Sequence, residues 1–293
     1  LVPSGSFITS VSSIIFAGGT PVLVDMNPDT LSFDLDDLEE KLTPKTAGII
    51  WVHLTGFISP EYEQIITLAK DKGLFLLEDC AHALGAVVDG REAGSLGDAG
   101  CYSFYPTKII TSGTGGMIAT DDGALKKYAE QMRLFGKDAE KGEVTHLGND
   151  WFLDEIRACI AYHQLVDLES ILARRLAIAN RYRKSLDNQH GFAMLNVPEG
   201  NLPTYYQFPL FLDRRVDTEK LIGNLMSKYQ IQAKRIYQPT HLEPVFREYD
   251  DKTLLKTQDT LNRSLCLPLY AQMTDEDIFH VANSLLKELR SLA

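Results

Sequence analysis

A chain of 293 residues, 44% hydrophobic and 24% charged, is long enough for one large domain plus a smaller one. Its net charge of −11 excludes nucleic acid as the main partner, because phosphate backbones need a basic surface, yet permits a locally positive pocket for a small anion. No apolar run approaches the roughly 20 residues that span a bilayer, and no secretory apolar core opens the chain.

The four cysteines, Cys80, Cys101, Cys159 and Cys266, contain no CxxC pair, so reduced structural thiols are expected rather than a metal site or disulfides. A cytoplasmic location is the default expectation. In chain order, apolar runs at 21–25, 47–53 and 74–78 read as buried strands, and amphipathic runs at 34–41 and from Pro60 to 72 read as the helices between them. Runs at 100–104 and 116–120 fit the same sheet, with a helix over 123–135 after them. Near-continuous apolar strands separated by helices are the signature of a mostly parallel sheet covered on both faces. Residues 152–186 form one long, mostly helical stretch, of the kind that bridges two domains. Beyond it the texture shortens: a strand over 205–212, a helix over 217–228, a strand over 231–236 and a terminal helix over 274–289 capped by Thr274. The expected division is 1–165 for the large α/β domain and 166–293 for a smaller α+β domain.

Ligands of such sheets collect at the carboxyl ends of the strands. Two groups with chemistry stand there. Asp79 closes the run 74–78, and Lys108 follows the run 100–104 in Cys101-Tyr-Ser-Phe-Tyr-Pro-Thr-Lys108. Alone, the lysine reads as one that snorkels from a strand end into water, and the aspartate as a strand-terminal turn residue. With the Gly-rich turn Ser112-Gly-Thr-Gly-Gly116 after them, they match what pyridoxal-phosphate chemistry needs. The amine forms the Schiff base, and the carboxylate keeps the pyridine nitrogen protonated so that the ring accepts electrons.

Glu78-Asp-Cys-Ala-His-Ala83, Gly94-Ser-Leu-Gly-Asp98 and Ser103-Phe-Tyr-Pro-Thr-Lys108 resemble the DegT/DnrJ/EryC1/StrS family of nucleotide-sugar aminotransferases. Gly18-Gly-Thr-Pro-Val-Leu-Val-Asp25, Thr43-Pro-Lys-Thr46 and Leu267-Pro-Leu-Tyr270 extend the resemblance over nearly the whole chain. It implies the type I pyridoxal-phosphate transferase fold, pyridoxal 5'-phosphate as cofactor, and a homodimer with a shared active site. It further implies an amino-acid donor, glutamate, a nucleotide-linked keto sugar as acceptor, and a place in polysaccharide or antibiotic sugar biosynthesis. Carried over by position, Lys108 matches the Schiff-base lysine and Asp79 the pyridinium partner. Ser103 matches a serine on the cofactor phosphate, and His82 stands where the family has Gln or His near the ring oxygen. A histidine hydrogen-bonded in a turn reads equally well there. Phe7 falls where an aromatic ring covers the pyridine face, and a core phenylalanine competes with that reading. Lys108 argues against the family's dehydratases, which replace this lysine with histidine.

Some features differ from the family pattern. A Gly-Thr/Ser-Ala turn opening a helix, which holds the phosphate with backbone N–H groups, normally precedes the equivalent of Leu1. Translated residues upstream of Leu1 are therefore expected. At Gly148-Asn-Asp150 the family places an Asn or Lys that reaches the partner's phosphate; either Asn149 fills that role through a shifted loop, or Asp150 stands there and the contact is lost. Thr114 replaces an acid in the Gly-rich turn. These departures motivate an alternative, a non-catalytic homologue or scaffold subunit with impaired phosphate binding. Arg235, Tyr237 and His241 are candidates for substrate selection.

Overall fold

The computed structural model describes residues 1–292. Strand β1 (Val2–Pro3) leads through helix α1 (Ile8–Phe16) to β2 (Leu23–Val24), its parallel neighbour. Helix α2 (Leu35–Glu40) starts at Asp34, whose carboxylate accepts the N–H groups of Asp36 and Asp37. β3 (Gly48–Val52) lies beside β1, with the Ile50 N–H donating to the Leu1 carbonyl at 2.9 Å. Helix α3 (Tyr62–Lys72) ends at Gly73 in the left-handed region, φ 62°, which turns the chain into β4 (Phe75–Asp79).

A short hairpin, β5 (Val87–Val88) with β6 (Arg91–Glu92), precedes β7 (Ala99–Ser103). β3, β4 and β7 are parallel, and their register sets Val52 opposite Asp79 and Asp79 opposite Cys101. The carboxyl ends of β3 and β4 therefore coincide at Asp79, and β7 runs on past Cys101 to Ser103. β8 (Gly116–Ala119) returns antiparallel to β7, so the turn carrying Lys108 closes over that same end. Thr111 Oγ1 and the Ser112 N–H both donate to the Phe104 carbonyl, and Gly113 and Gly115 take φ of 82° and 104°, which a side chain would resist. Beneath this sheet Phe33, Trp51, Ile65 and Leu76 are buried together, each contributing roughly 2 kcal/mol by leaving water.

Helix α4 (Gly123–Arg133) is capped by Asp122. The long helical stretch expected over 152–186 is two helices, α5 (Glu155–Val166) and α6 (Leu168–Leu186), that meet at Asp167. Leu168, Ile171 and Leu172 of α6 pack beside Phe104, Ile109 and Ile110, under the Lys108 turn. Further along, Ile178, Tyr182 and Leu186 join a second core.

That core lines an antiparallel sheet ordered β12–β11–β9: β9 (Phe192–Met194), then, after β10 (Asn201–Leu202) pairs with β5, β11 (Phe208–Leu212) and finally β12 (Ser264–Leu267). Helices α7 (Thr218–Tyr229), α8 (Leu255–Asn262) and α9 (Asp275–Leu292) complete the order. Thr274 caps α9 through an Oγ1 that accepts the Asp277 N–H. The strand expected over 205–212 begins only at Phe208, because Tyr205 sits at φ 49°. No strand forms over 231–236. Ile231, Ala233 and Ile236 are buried, but only Lys234 bridges to a neighbour, Cys266. No helix among the described residues is long and apolar enough to cross a membrane.

Candidate active site

Asp79 is the last residue of β4. Its Oδ2 accepts the Ser10 hydroxyl at 2.7 Å from α1, and Oδ1 accepts the Ala81 N–H at 3.1 Å. The residue before it is a fixed point. Glu78 is fully buried, with Oε1 accepting the Leu96 and Gly97 N–H groups at 2.7 Å. Oε2 accepts Gly94 N–H and pairs with His53 Nε2, both at 2.8 Å. Burial pushes the Glu78 pKa up, but His53 and the backbone donors reverse this and hold it below the usual carboxylate value. With its acceptor positions filled, Glu78 anchors the 94–97 loop behind Asp79. Although Glu78, His53 and Cys80 cluster, the carboxylate has no free position for a metal.

Lys108 lies in the turn after β7, its N–H donating to the Tyr105 carbonyl. The Nζ stands 4.9 Å from the ring centroid of Tyr206. Burial pushes its pKa down to about 8, Asp79 opposes that, and Lys234 adds to it. Asp79 and Lys108 thus act on one another electrostatically within one site.

Around them the chain brings in residues from far along the sequence. The Tyr206 ring stacks on His82 at 4.0 Å between centroids, and its hydroxyl bonds Thr107 Oγ1 at 2.9 Å. Arg175 of α6 is half-buried, has no carboxylate partner among the described residues, and donates to the carbonyls of Thr204, Tyr205, Tyr206 and Leu269. Burial pushes its pKa down to about 10. It clamps the turn that presents Tyr206. His82 is buried, its Nε2 shares a proton with the Tyr237 hydroxyl at 2.9 Å, and its Nδ1 has no partner among the described residues. Burial, then the charges of Lys108 and Lys234, hold its pKa well below the ordinary value, so the ring is neutral.

Of the other expected residues, Phe7 precedes α1 with its ring centroid 5.5 Å from Tyr237. At 47% exposure it is no core phenylalanine and keeps an open face. Ser103 ends β7, its Oγ accepting the Tyr105 N–H at 3.3 Å. Asn149 is not brought to this cluster: it is exposed, and its bonds run to Met132, Phe135 and Asp150. Of the selection candidates, only Tyr237 reaches the site. His241 is buried with Nδ1 on Ser4 Oγ at 2.7 Å, and Arg235 pairs with Glu219. Ser10, Thr107, Arg175 and Tyr206 were not read from the sequence. The Tyr205-Tyr206 pair before an apolar strand was the one visible hint.

Residues 1–286 match the model of the DegT/DnrJ/EryC1/StrS aminotransferase family. The GDP-perosamine synthase of Caulobacter vibrioides is 31% identical over 97% of this chain and 77% of its own length. The dTDP-3-amino-3,4,6-trideoxy-alpha-D-glucose transaminase of Micromonospora megalomicea is 31% identical over 92% of this chain and 73% of its own. Among solved structures, the aminotransferase TlmJ of Streptoalloteichus hindustanus superposes with a TM-score of 0.93 at 30% identity, covering 100% of this chain and 79% of that one. The fold is that of the type I pyridoxal-phosphate transferases, and the chain belongs to the DegT/DnrJ/EryC1/StrS aminotransferase family.

Proposed function

We propose that this chain uses pyridoxal 5'-phosphate to move an amino group from an amino-acid donor, glutamate, to a keto group of a nucleotide-linked sugar. The observation that carries this is Asp79 at the end of β4 and Lys108 in the turn after the neighbouring β7, near enough that the Asp79 charge acts on the Lys108 amine, whose pKa burial pushes down to about 8. The donor set fits the cofactor: a partly unprotonated amine, a carboxylate whose two oxygens are both held by donors, and aromatic rings alongside. Lys108 would hold the group covalently and Asp79 its ring nitrogen. Ser103 would hold the phosphate, His82 would lie near the ring oxygen, and Phe7 would cover the ring face. When bound, pyridoxal phosphate supplies an aldehyde that amines condense with and a ring that takes up the electron pair left when a substrate carbon loses its proton.

This chain's residues supply the rest. Ser10 and the Ala81 N–H fix the Asp79 carboxylate, and Glu78 keeps β4 from shifting beneath it. The released Lys108 amine takes the proton from the donor carbon and returns it, work suited to a base that titrates near neutrality. Neutral His82, stacked on Tyr206, offers a hydrogen bond without adding a charge that would compete with Asp79.

A homodimer sharing its sites is part of the proposal. Leu147, Trp151, Phe152, Ile156 and Ile160 are exposed together along α5 and the loop before it, a surface more apolar than an isolated chain normally leaves in water. Asn149 lies in that loop and would reach the partner's phosphate site from there. The scaffold reading gains nothing from the described site, where Lys108 and Asp79 are both in place.

The test is to add pyridoxal phosphate, reduce with borohydride and locate the adduct by mass spectrometry. The expected result is a single labelled peptide carrying Lys108 and an absorbance band near the visible edge that reduction removes. Absence of label, or label spread over other lysines and unchanged by Lys108→Ala, refutes the proposal.

A further inference from the structure

His82 is held on three sides, and one of its ring nitrogens is left over. Its carbonyl accepts the Thr204 hydroxyl at 2.6 Å, its ring lies on Tyr206 at 4.0 Å between centroids, and Nε2 meets the Tyr237 hydroxyl at 2.9 Å. The same Thr204 oxygen accepts the Tyr206 N–H at 3.2 Å, so His82 and the ring stacked on it are tied to one side chain. Nδ1 is buried with no partner among the described residues. A buried polar atom without a partner is uncommon in a folded protein and costs stability until something satisfies it.

Counting protons shows what that atom is. Burial, then the charges of Lys108 and Lys234, keep a second proton off the ring, so His82 carries one N–H and one lone pair. Burial, then Tyr206 and Asp79, raise the Tyr237 phenol pKa, so the hydroxyl keeps its proton. The two groups share one hydrogen bond, which can be made in two ways. If Nε2–H donated, the Tyr237 proton would have no acceptor among the described residues, and the Nδ1 lone pair would stay unpaired as well. If the hydroxyl donates, only Nδ1–H is left over. Acidity points the same way, because a phenol is a stronger acid than a neutral imidazole N–H and an imidazole nitrogen accepts better than a phenol oxygen.

Resting on the cofactor reading above, we propose that Tyr237 is a positioning residue that fixes His82 as the Nδ1–H tautomer and so presents a neutral buried donor to an acceptor oxygen of the bound cofactor. Which nitrogen of a histidine carries the proton is set by the bond that the other one makes. Tyr237 makes that bond across 155 positions, from the segment after α7 to the turn after β4. Its ring is braced in turn by Phe7, 5.5 Å away between centroids. The tautomer is therefore set by the assembled cluster before any cofactor arrives.

Nitrogen-15 NMR of the full chain labelled at histidine reads the tautomer without cofactor. Of the seven histidines, the one whose signals vanish in His82→Gln is His82. The parent should show Nδ1 protonated and Nε2 bare, and Tyr237→Phe, which keeps the ring, should shift His82 toward Nε2–H. Protonated Nε2 in the parent, or an unchanged pattern in Tyr237→Phe, overturns the inference. Equilibrium dialysis of pyridoxal phosphate is the second arm. Tyr237→Phe should weaken it by about fivefold, the worth of one neutral hydrogen bond. In a His82→Gln background the amide carries its own donor and has no tautomer to set, so the same change should cost nothing. An equal loss in both backgrounds would make Tyr237 merely structural and also overturns the inference. Absence of borohydride label on Lys108 refutes the cofactor reading instead and leaves the tautomer to the NMR, so the two fail separately.

Discussion

Replacing Asp79 by Asn removes the charge that favours the ammonium form of Lys108, while replacing Lys234 by Gln removes one that disfavours it. The two variants should therefore move the Lys108 titration in opposite directions from its starting point of about 8, down for Asp79→Asn and up for Lys234→Gln, each by roughly one unit or less. At pH 7 an amine titrating near 8 is about 10% unprotonated, against about 0.03% for a solvated lysine, several hundredfold more nucleophile. Competitive acetylation followed by mass spectrometry reads this directly, since the rate at Lys108 follows its unprotonated fraction. The same burial has a cost in stability. From the ordinary value of 10.5 to about 8 the folded amine is the weaker base, so the unfolded chain holds the extra proton between those pH values. The penalty is complete below pH 8 and fades as pH rises toward 10.5. Lys108→Met should then stabilise the protein at pH 7 by roughly 1–2 kcal/mol, after discounting for the part of the side chain that reaches solvent, and by little at pH 10.5. A Lys108 midpoint at or above 10, or an upward shift in Asp79→Asn, would refute the reasoning.

Glu78→Gln should destabilise by roughly 3–5 kcal/mol in urea denaturation, since whichever way the amide turns, its NH2 faces two of the four donors. The folded-state pKa of Glu78 is depressed, so its stabilising effect is full above the unfolded value of 4.5 and is lost as pH falls through the folded one; an unchanged urea midpoint at pH 7 contradicts this. Arg175→Met should cost about 2 kcal/mol by leaving the carbonyls of 204–206 short of donors, and should raise solvent exposure of Tyr206 by fluorescence quenching; a variant as stable as the parent would show that the clamp is dispensable.

That Asp79 and Lys108 fall in one site was legible because their placement depends on local pattern. Apolar runs ending in an acid or followed by a lysine place Asp79 at a strand end and Lys108 in the turn beyond the next strand, and parallel strands bring such ends to one edge. Thr274 was legible for the same reason, a cap being a matter of a few residues. The 231–236 run shows where pattern misleads. A strand was expected there, but a ladder needs a partner strand and within 231–236 only Lys234 finds one.

Sequence by itself therefore determined the family, the sheet and the placement of Asp79 and Lys108 near one edge of it. Only the tertiary structure decided what surrounds them: Ser10 on Asp79 across 69 positions, Tyr206 on Thr107 across 99, and Tyr237 on His82 across 155. It also decided that His241 and Arg235 are tied up elsewhere, while Lys234 meets no carboxylate among the described residues. The physical reason is that periodicity encodes which face of an element is apolar, whereas a residue's partners and its desolvation arise only when distant segments close on one another.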